Sequence, residues 1–225
     1  SSPKVCVVIT AKDMTEAIQR LEKVEYQGPD LIEIRFDYMA SPGDPGIIRD
    51  KTDLPLIVTN RRWDQGGQSR MNEPDRTTLI LDAVKAGFNY ADLELNTPDL
   101  KDLGSRVKTL GGILVISHHD FKDTPSLEEL RETMRYMAKS GADVSKIIGT
   151  AQRPRDNLTY LSLFRQPREC GLTCFGMGRD GILSRILSPL AGGEFTYASS
   201  HAGEESAPGQ LTLVEMREIY TIMGV

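Results

Sequence analysis

Residues 31–37 read Leu-Ile-Glu-Ile-Arg-Phe-Asp. On an extended strand successive side chains point to opposite faces. Ile32, Ile34 and Phe36 then share one face, and Glu33, Arg35 and Asp37 share the other. Residues 90–95 repeat the pattern: Ala91, Leu93 and Leu95 oppose Asp92 and Glu94. Such strands have one face made for packing and another loaded with charge.

Working outward, further apolar runs of strand length lie at 5–10, 55–60, 112–119, 144–150, 172–177 and 195–199, which makes eight with the first two. The gaps carry helical spacing. Asp13 is placed to cap a helix through Ile18, Leu21 and Val24. Ser126-Leu127-Glu128-Glu129 is a capping box, followed by Leu130, Met134 and Met137, with Gly141 as the stop. Residues 77–86, 99–110, 157–164, 181–190 and 211–223 read as further helices, and 46–51 as a short helix or a turn. Eightfold alternation of strand and helix predicts a parallel sheet, open or closed. An open nucleotide-binding sheet needs a glycine-rich loop after its first strand. Here that strand runs into Thr10-Ala11-Lys12-Asp13, and no Gly-x-Gly-x-x-Gly or Walker loop occurs anywhere. The prediction is an α/β fold, a (β/α)8 TIM barrel, as a single compact domain over 1–225.

The 225 residues contain 27 Lys and Arg against 32 Asp and Glu, a formal net charge of -5. That balance argues against nucleic acid as a partner, since such binding draws on clustered basic side chains. No apolar run approaches the roughly 20 residues that span a bilayer, and the start of the chain lacks a signal-peptide layout. Membrane association is not expected. Three cysteines suit reduced thiols in the cytoplasm better than a disulfide framework. His118 and His119 are neighbours that point apart on a strand, so they do not chelate one ion together.

In a closed barrel the apolar strand face packs outward on the helices, and the charged face points inward. Buried charge is costly unless paired or used. The set is therefore either a structural ion-pair network or a site, and several strands making the same choice favour a site. Two more strands add to it. His119 shares a face with Val115 and Ser117, and Lys146 sits mid-strand in Val144-Ser145-Lys146-Ile147-Ile148. A desolvated lysine is a candidate amine nucleophile that forms a Schiff base with a carbonyl. An imidazole near neutrality suits the proton transfer that follows. Arg35, Arg61 or Arg62, and Arg185 are candidates to hold a carboxylate or hydroxyls. This chemistry requires neither a metal nor an organic cofactor. The residues leave open an aldolase-type barrel, which also uses a strand lysine, and a barrel that only binds a metabolite.

Taken together, the motifs resemble the type I 3-dehydroquinate dehydratases of the shikimate pathway. The resemblance is carried by Glu33-Ile34-Arg35, by 55–61 with Gly66-Gly67, by Asp92-Leu93-Glu94, and by Ser117-His118-His119-Asp120-Phe121. It continues through 142–147, through 176–181 with Ser184-Arg185, and through Ser206-Ala207-Pro208-Gly209-Gln210. It implies a carbon–oxygen lyase that converts 3-dehydroquinate to 3-dehydroshikimate and water in chorismate and aromatic amino-acid biosynthesis. Lys146 would form the imine and His119 would act as general acid and base. Glu33, Arg35 and Arg61 would bind ring hydroxyls, and Arg185, Gln210 and Ser206 the substrate carboxylate. Met177 would line the pocket, with Asp92, Glu94 and Gln65 in support. Such an enzyme would be a cytoplasmic homodimer. The chain departs from the family pattern at Gln65, where Glu is common, at Phe175, where Met is common, and at His118, which replaces a common Asn. Residues 201–210, with Gly203, Pro208 and Gly209, would form a hinged lid.

Overall fold

The computed structural model describes residues 2–225. Eight strands are present: β1 Val5–Thr10, β2 Leu31–Arg35, β3 Leu56–Thr59, β4 Tyr90–Glu94, β5 Ile113–His119, β6 Val144–Thr150, β7 Gly171–Met177 and β8 Thr196–Ser199. All ladders are parallel, in the order β7-β6-β5-β4-β3-β2-β1-β8. The barrel comes close to closing between β7 and β8. There the Glu194 N–H donates to Leu172 O at 2.9 Å and Thr173 Oγ1 to Phe195 O at 3.3 Å. The helices are α1 Met14–Glu25, α2 Gly46–Arg49, α3 Glu73–Lys85, α4 Leu100–Thr109, α5 Leu127–Lys139, α6 Asp156–Leu163, α7 Ile182–Leu187 and α8 Leu213–Met223. This is the (β/α)8 barrel the alternation predicts.

Local chemistry sets the helix ends. The Asp13 side chain accepts from the Glu16 N–H, and both Ser126 and Thr212 open complete capping boxes. Helix α3 begins before the expected residue 77, because Asn72 caps it and Pro74 fits the first turn, where no N–H is needed.

Strand parity sorts the interior into two layers. Ile32, Ile34, Ala91 and Leu93 pack outward into the large cluster shared with the helices. A smaller cluster fills the barrel, with Cys6, Val8, Ile57, Ile148, Phe175 and Tyr197 among its members. Each fully buried aliphatic side chain contributes roughly 1.5–3 kcal/mol. That reserve lets the mouth above it carry buried charge.

Candidate active site

The strand ends at one mouth of the barrel enclose a half-open cavity of about 510 Å³, the solvent in its opening included. Ten of the residues named from the sequence line it: Glu33, Arg35, Arg61, Gln65, His119, Lys146, Met177, Arg185, Ser206 and Gln210. Asp92 and Glu94 lie behind the wall, fully buried, and hold the lining residues in place.

The β2–β5 side is a connected ion-pair network. Arg61 donates to both oxygens of Asp92 at 2.8 and 2.7 Å, and also to Glu94 at 3.2 Å and Ser117 Oγ at 2.6 Å. Ser117 in turn donates to Asp92 at 2.5 Å. Forked, charge-assisted pairs of this kind fix geometry as well as charge. They hold the Asp92 carboxyl far below the usual carboxylate range against the opposing effect of its burial, and they push the Arg61 guanidinium up. Arg76 completes the network from α3, donating to Glu94 and to Asn60 O, both at 2.9 Å. The sequence reading missed Arg76, which lies one residue before the expected start of its helix.

Arg35 is gripped by Asp37 through two bonds of 2.8 Å. Strict alternation would put Asp37 in the cavity. Instead β2 stops at Arg35 and Phe36–Tyr38 form a 3-10 turn, which swings Asp37 behind the guanidinium. Asp37 therefore orients Arg35 and does not face the cavity.

Lys146 is buried, with Nζ 3.1 Å from Asp92 Oδ2, 3.6 Å from Glu33 Oε2 and 4.4 Å from the centre of the Tyr197 ring. Two carboxylates and an aromatic face thus surround its amine. These partners come from β2, β4 and β8, so no local window around Lys146 reveals them. Tyr197 is likewise absent from the sequence-derived set. Its placement beside Ser199 and Phe195 on alternate positions of the last strand was the available signal.

His119 sits on β5, next to β6, and stacks on Phe121 with ring centres 5.8 Å apart. Burial, then the charges of Arg61 and Lys146, push its imidazole well below its ordinary 6.5. The ring is thus a neutral base at pH 7, with a buried Nδ1 that has no hydrogen-bond partner. Gln65 does not reach this nitrogen. Its Oε1 accepts from the His119 backbone N–H at 3.1 Å, so it fixes the end of the strand and not the ring. Gly67 makes that loop possible: a Cβ there would fall 2.1 Å from Arg61 O.

The β7–β8 side has a different character. Arg185 is buried on α7, with its carbon 4.3 Å above the Phe175 ring. It makes one long bond, to Pro208 O at 3.4 Å, and its Nε has no partner. Burial pushes its guanidinium down to about 10, which still leaves it charged at neutral pH. The short helix is pinned by Ser184, which accepts from Gly176 N–H at 3.0 Å and donates its own N–H to Asn157 at 2.8 Å. Residues 201–210 lie across the opening. Ser206 N–H donates to Gln210 Oε1 at 2.9 Å, and Gly178 N–H to Pro208 O at 3.0 Å. Glu204 forms an ion pair with Arg20 of α1. A Cβ at Gly209, whose φ is +73°, would clash with Gly178 O at 2.3 Å, so the loop seats closely on the end of β7.

His118 points away from this cavity into a separate surface hollow beside α5. Among the described residues, no three His, Cys, Asp or Glu side chains group as a metal site, and no helix is long and apolar enough to cross a membrane. Cys6, Cys170 and Cys174 are unpaired.

The family model for the type I 3-dehydroquinase matches residues 5–225. The chain belongs to the type I 3-dehydroquinase family. A 3-dehydroquinate dehydratase from Dehalococcoides mccartyi is 37% identical over 219 residues, covering 97% of this chain and 95% of the relative. One from Pyrococcus abyssi is 30% identical over 220 residues, covering 98% of both. Among solved structures, the 3-dehydroquinate dehydratase from Geobacillus kaustophilus HTA426 superposes with a TM-score of 0.88 at 26% identity. The match covers 100% of this chain and 92% of the other. The chain is thus an enzyme of that family, and its barrel matches a solved relative along its whole length.

Proposed function

We propose that the chain converts 3-dehydroquinate to 3-dehydroshikimate and water through an imine on Lys146, with His119 as general acid and base. The observation that carries this is the pairing of one buried lysine with one neutral histidine on adjacent strands of one cavity. The steps follow from these groups. Lys146 gives up a proton to His119 and its Nζ attacks the ring ketone, and His119 returns that proton to the carbinolamine hydroxyl. Loss of water from the carbinolamine leaves an iminium over the Tyr197 face. His119 removes the adjacent C–H proton to give an enamine. The enamine expels the β-hydroxyl, which leaves as water with the proton His119 returns. Hydrolysis then frees Lys146 and the enone. Asp92 and Glu33 stabilise the nitrogen in its cationic, iminium states.

The binding roles divide by charge. Glu33, Arg35 and Arg61 face the ring hydroxyls. Arg185, which has no carboxylate partner among the described residues, receives the substrate carboxylate together with Gln210 and Ser206, and Met177 packs against the ring. The lid 201–210 closes that side. The proposed setting is the cytoplasm, as a homodimer. Unpaired cysteines suit the first, and exposed Val214 and Ile222 on α8 suit the second. The direct test follows enone absorbance on mixing with 3-dehydroquinate, for the wild type and for His119→Ala. The wild type should turn over, and the variant should lose roughly 10²- to 10⁴-fold in kcat. No enone from the wild type, or near-normal turnover by the variant, would contradict the reading.

A further inference from the structure

Two buried polar atoms beside Lys146 make no hydrogen bond: the hydroxyl of Tyr197, and Oε2 of Glu33, which meets Lys146 Nζ only at 3.6 Å. Both residues line the cavity, on β2 and β8, with side chains almost fully enclosed. One is an acceptor. The other is a phenol that burial, then the Glu33 charge and the closeness of that carboxylate, keep protonated, so it is a donor aimed at the same spot. A buried hydroxyl without a partner destabilises a protein. Phenylalanine would present the same ring face to Lys146 without that cost. An atom that donates and accepts, placed between the two, satisfies both at once, and a ligand hydroxyl is such an atom.

We propose that Tyr197 is a specificity-determining residue: with Glu33, it binds the substrate hydroxyl on the carbon next to the carbonyl that Lys146 attacks. The position follows from the site. Lys146 Nζ lies over the Tyr197 ring and 3.6 Å from Glu33 Oε2, so groups flanking the new C=N bond fall between these two side chains. The inference rests on the dehydratase reading above. It adds to that reading that the ring is selected by a matched donor and acceptor. Sites built to hydrogen-bond a hydroxyl reject analogues that lack it, because the buried groups are then left unpaired.

The test compares the wild type with Tyr197→Phe on 3-dehydroquinate and on its analogue without that one hydroxyl. For the wild type, kcat/KM should favour the true substrate. In Y197F this preference should fall roughly 10-fold or more, through loss with the true substrate and little change with the analogue. The variant's Tm should be unchanged or higher, since an unpaired hydroxyl is removed. A role limited to packing would lower both kcat/KM values together and leave their ratio intact, which would overturn the proposal. Turnover of 3-dehydroquinate by the wild type with an unchanged ratio refutes the Tyr197 assignment alone. Absence of wild-type turnover refutes the dehydratase reading and this inference with it.

Discussion

The two sides of the barrel mouth handle buried arginine in opposite ways. On the β2–β5 side Arg61 is bound to Asp92, Glu94 and Ser117, and Arg35 is bound to Asp37. On the β7–β8 side Arg185 is just as buried but meets an aromatic ring and one carbonyl oxygen. A paired guanidinium has its charge satisfied and serves as scaffold, with the edges that remain available to hydroxyls. An unpaired one keeps its desolvation cost until an anion arrives. The mouth therefore has one half whose charges are paired within the protein and one half with a cation left open to an anion.

That contrast is open to direct challenge. Arg61→Met would leave Asp92 without its main partner and take one of two arginines from Glu94. Breaking a buried pair costs about 3–5 kcal/mol, which for a domain of this size is a fall in Tm of roughly 10 °C. Arg185→Met removes a charge that no carboxylate among the described residues offsets, so Tm should hold or rise. Its KM for 3-dehydroquinate should instead rise about 10- to 100-fold, the loss of one or two charge-assisted bonds. Thermal melts and steady-state kinetics on both variants separate the two roles. Equal destabilisation by the two substitutions would break the contrast.

A smaller effect concerns pH. His119 has its imidazole pushed below 6.5, so it stays in the basic form as pH falls through that value. The acid limb of kcat/KM should therefore lie below pH 6.5. The same shift means that the unfolded chain binds this proton more readily, so stability is lost as pH drops from 6.5 towards the folded value. An acid limb at or above 6.5 would show that neither burial nor the Arg61 and Lys146 charges depress the ring.

The sequence made much of the scaffold readable because strand parity has a period of two. Glu33, Arg35, Asp92 and Glu94 separate from their apolar neighbours by counting alone, whereas His119 and Lys146 stand out by residue type on otherwise uncharged strand faces. Parity failed at Asp37, where β2 gives way to a 3-10 turn and the period changes. It gave no warning of Arg76, since a helical arginine after Pro74 and Asp75 looks like any solvated first turn. Tyr197 was passed over because Thr-Tyr-Ala-Ser reads as an ordinary buried strand, and its importance comes from Lys146 on a distant strand. The counter-charges of Lys146 were hidden for the same reason: Asp92 lies 54 residues away in sequence. Burial could be read locally, whereas pairing depended on barrel closure.

The central claim is that Lys146 is the covalent nucleophile. Borohydride added during turnover of 3-dehydroquinate, followed by peptide mass mapping, addresses it directly. The account predicts one stable adduct, on the peptide that contains Lys146, and none in Lys146→Met. Turnover without an adduct, or an adduct on any other lysine, would contradict it.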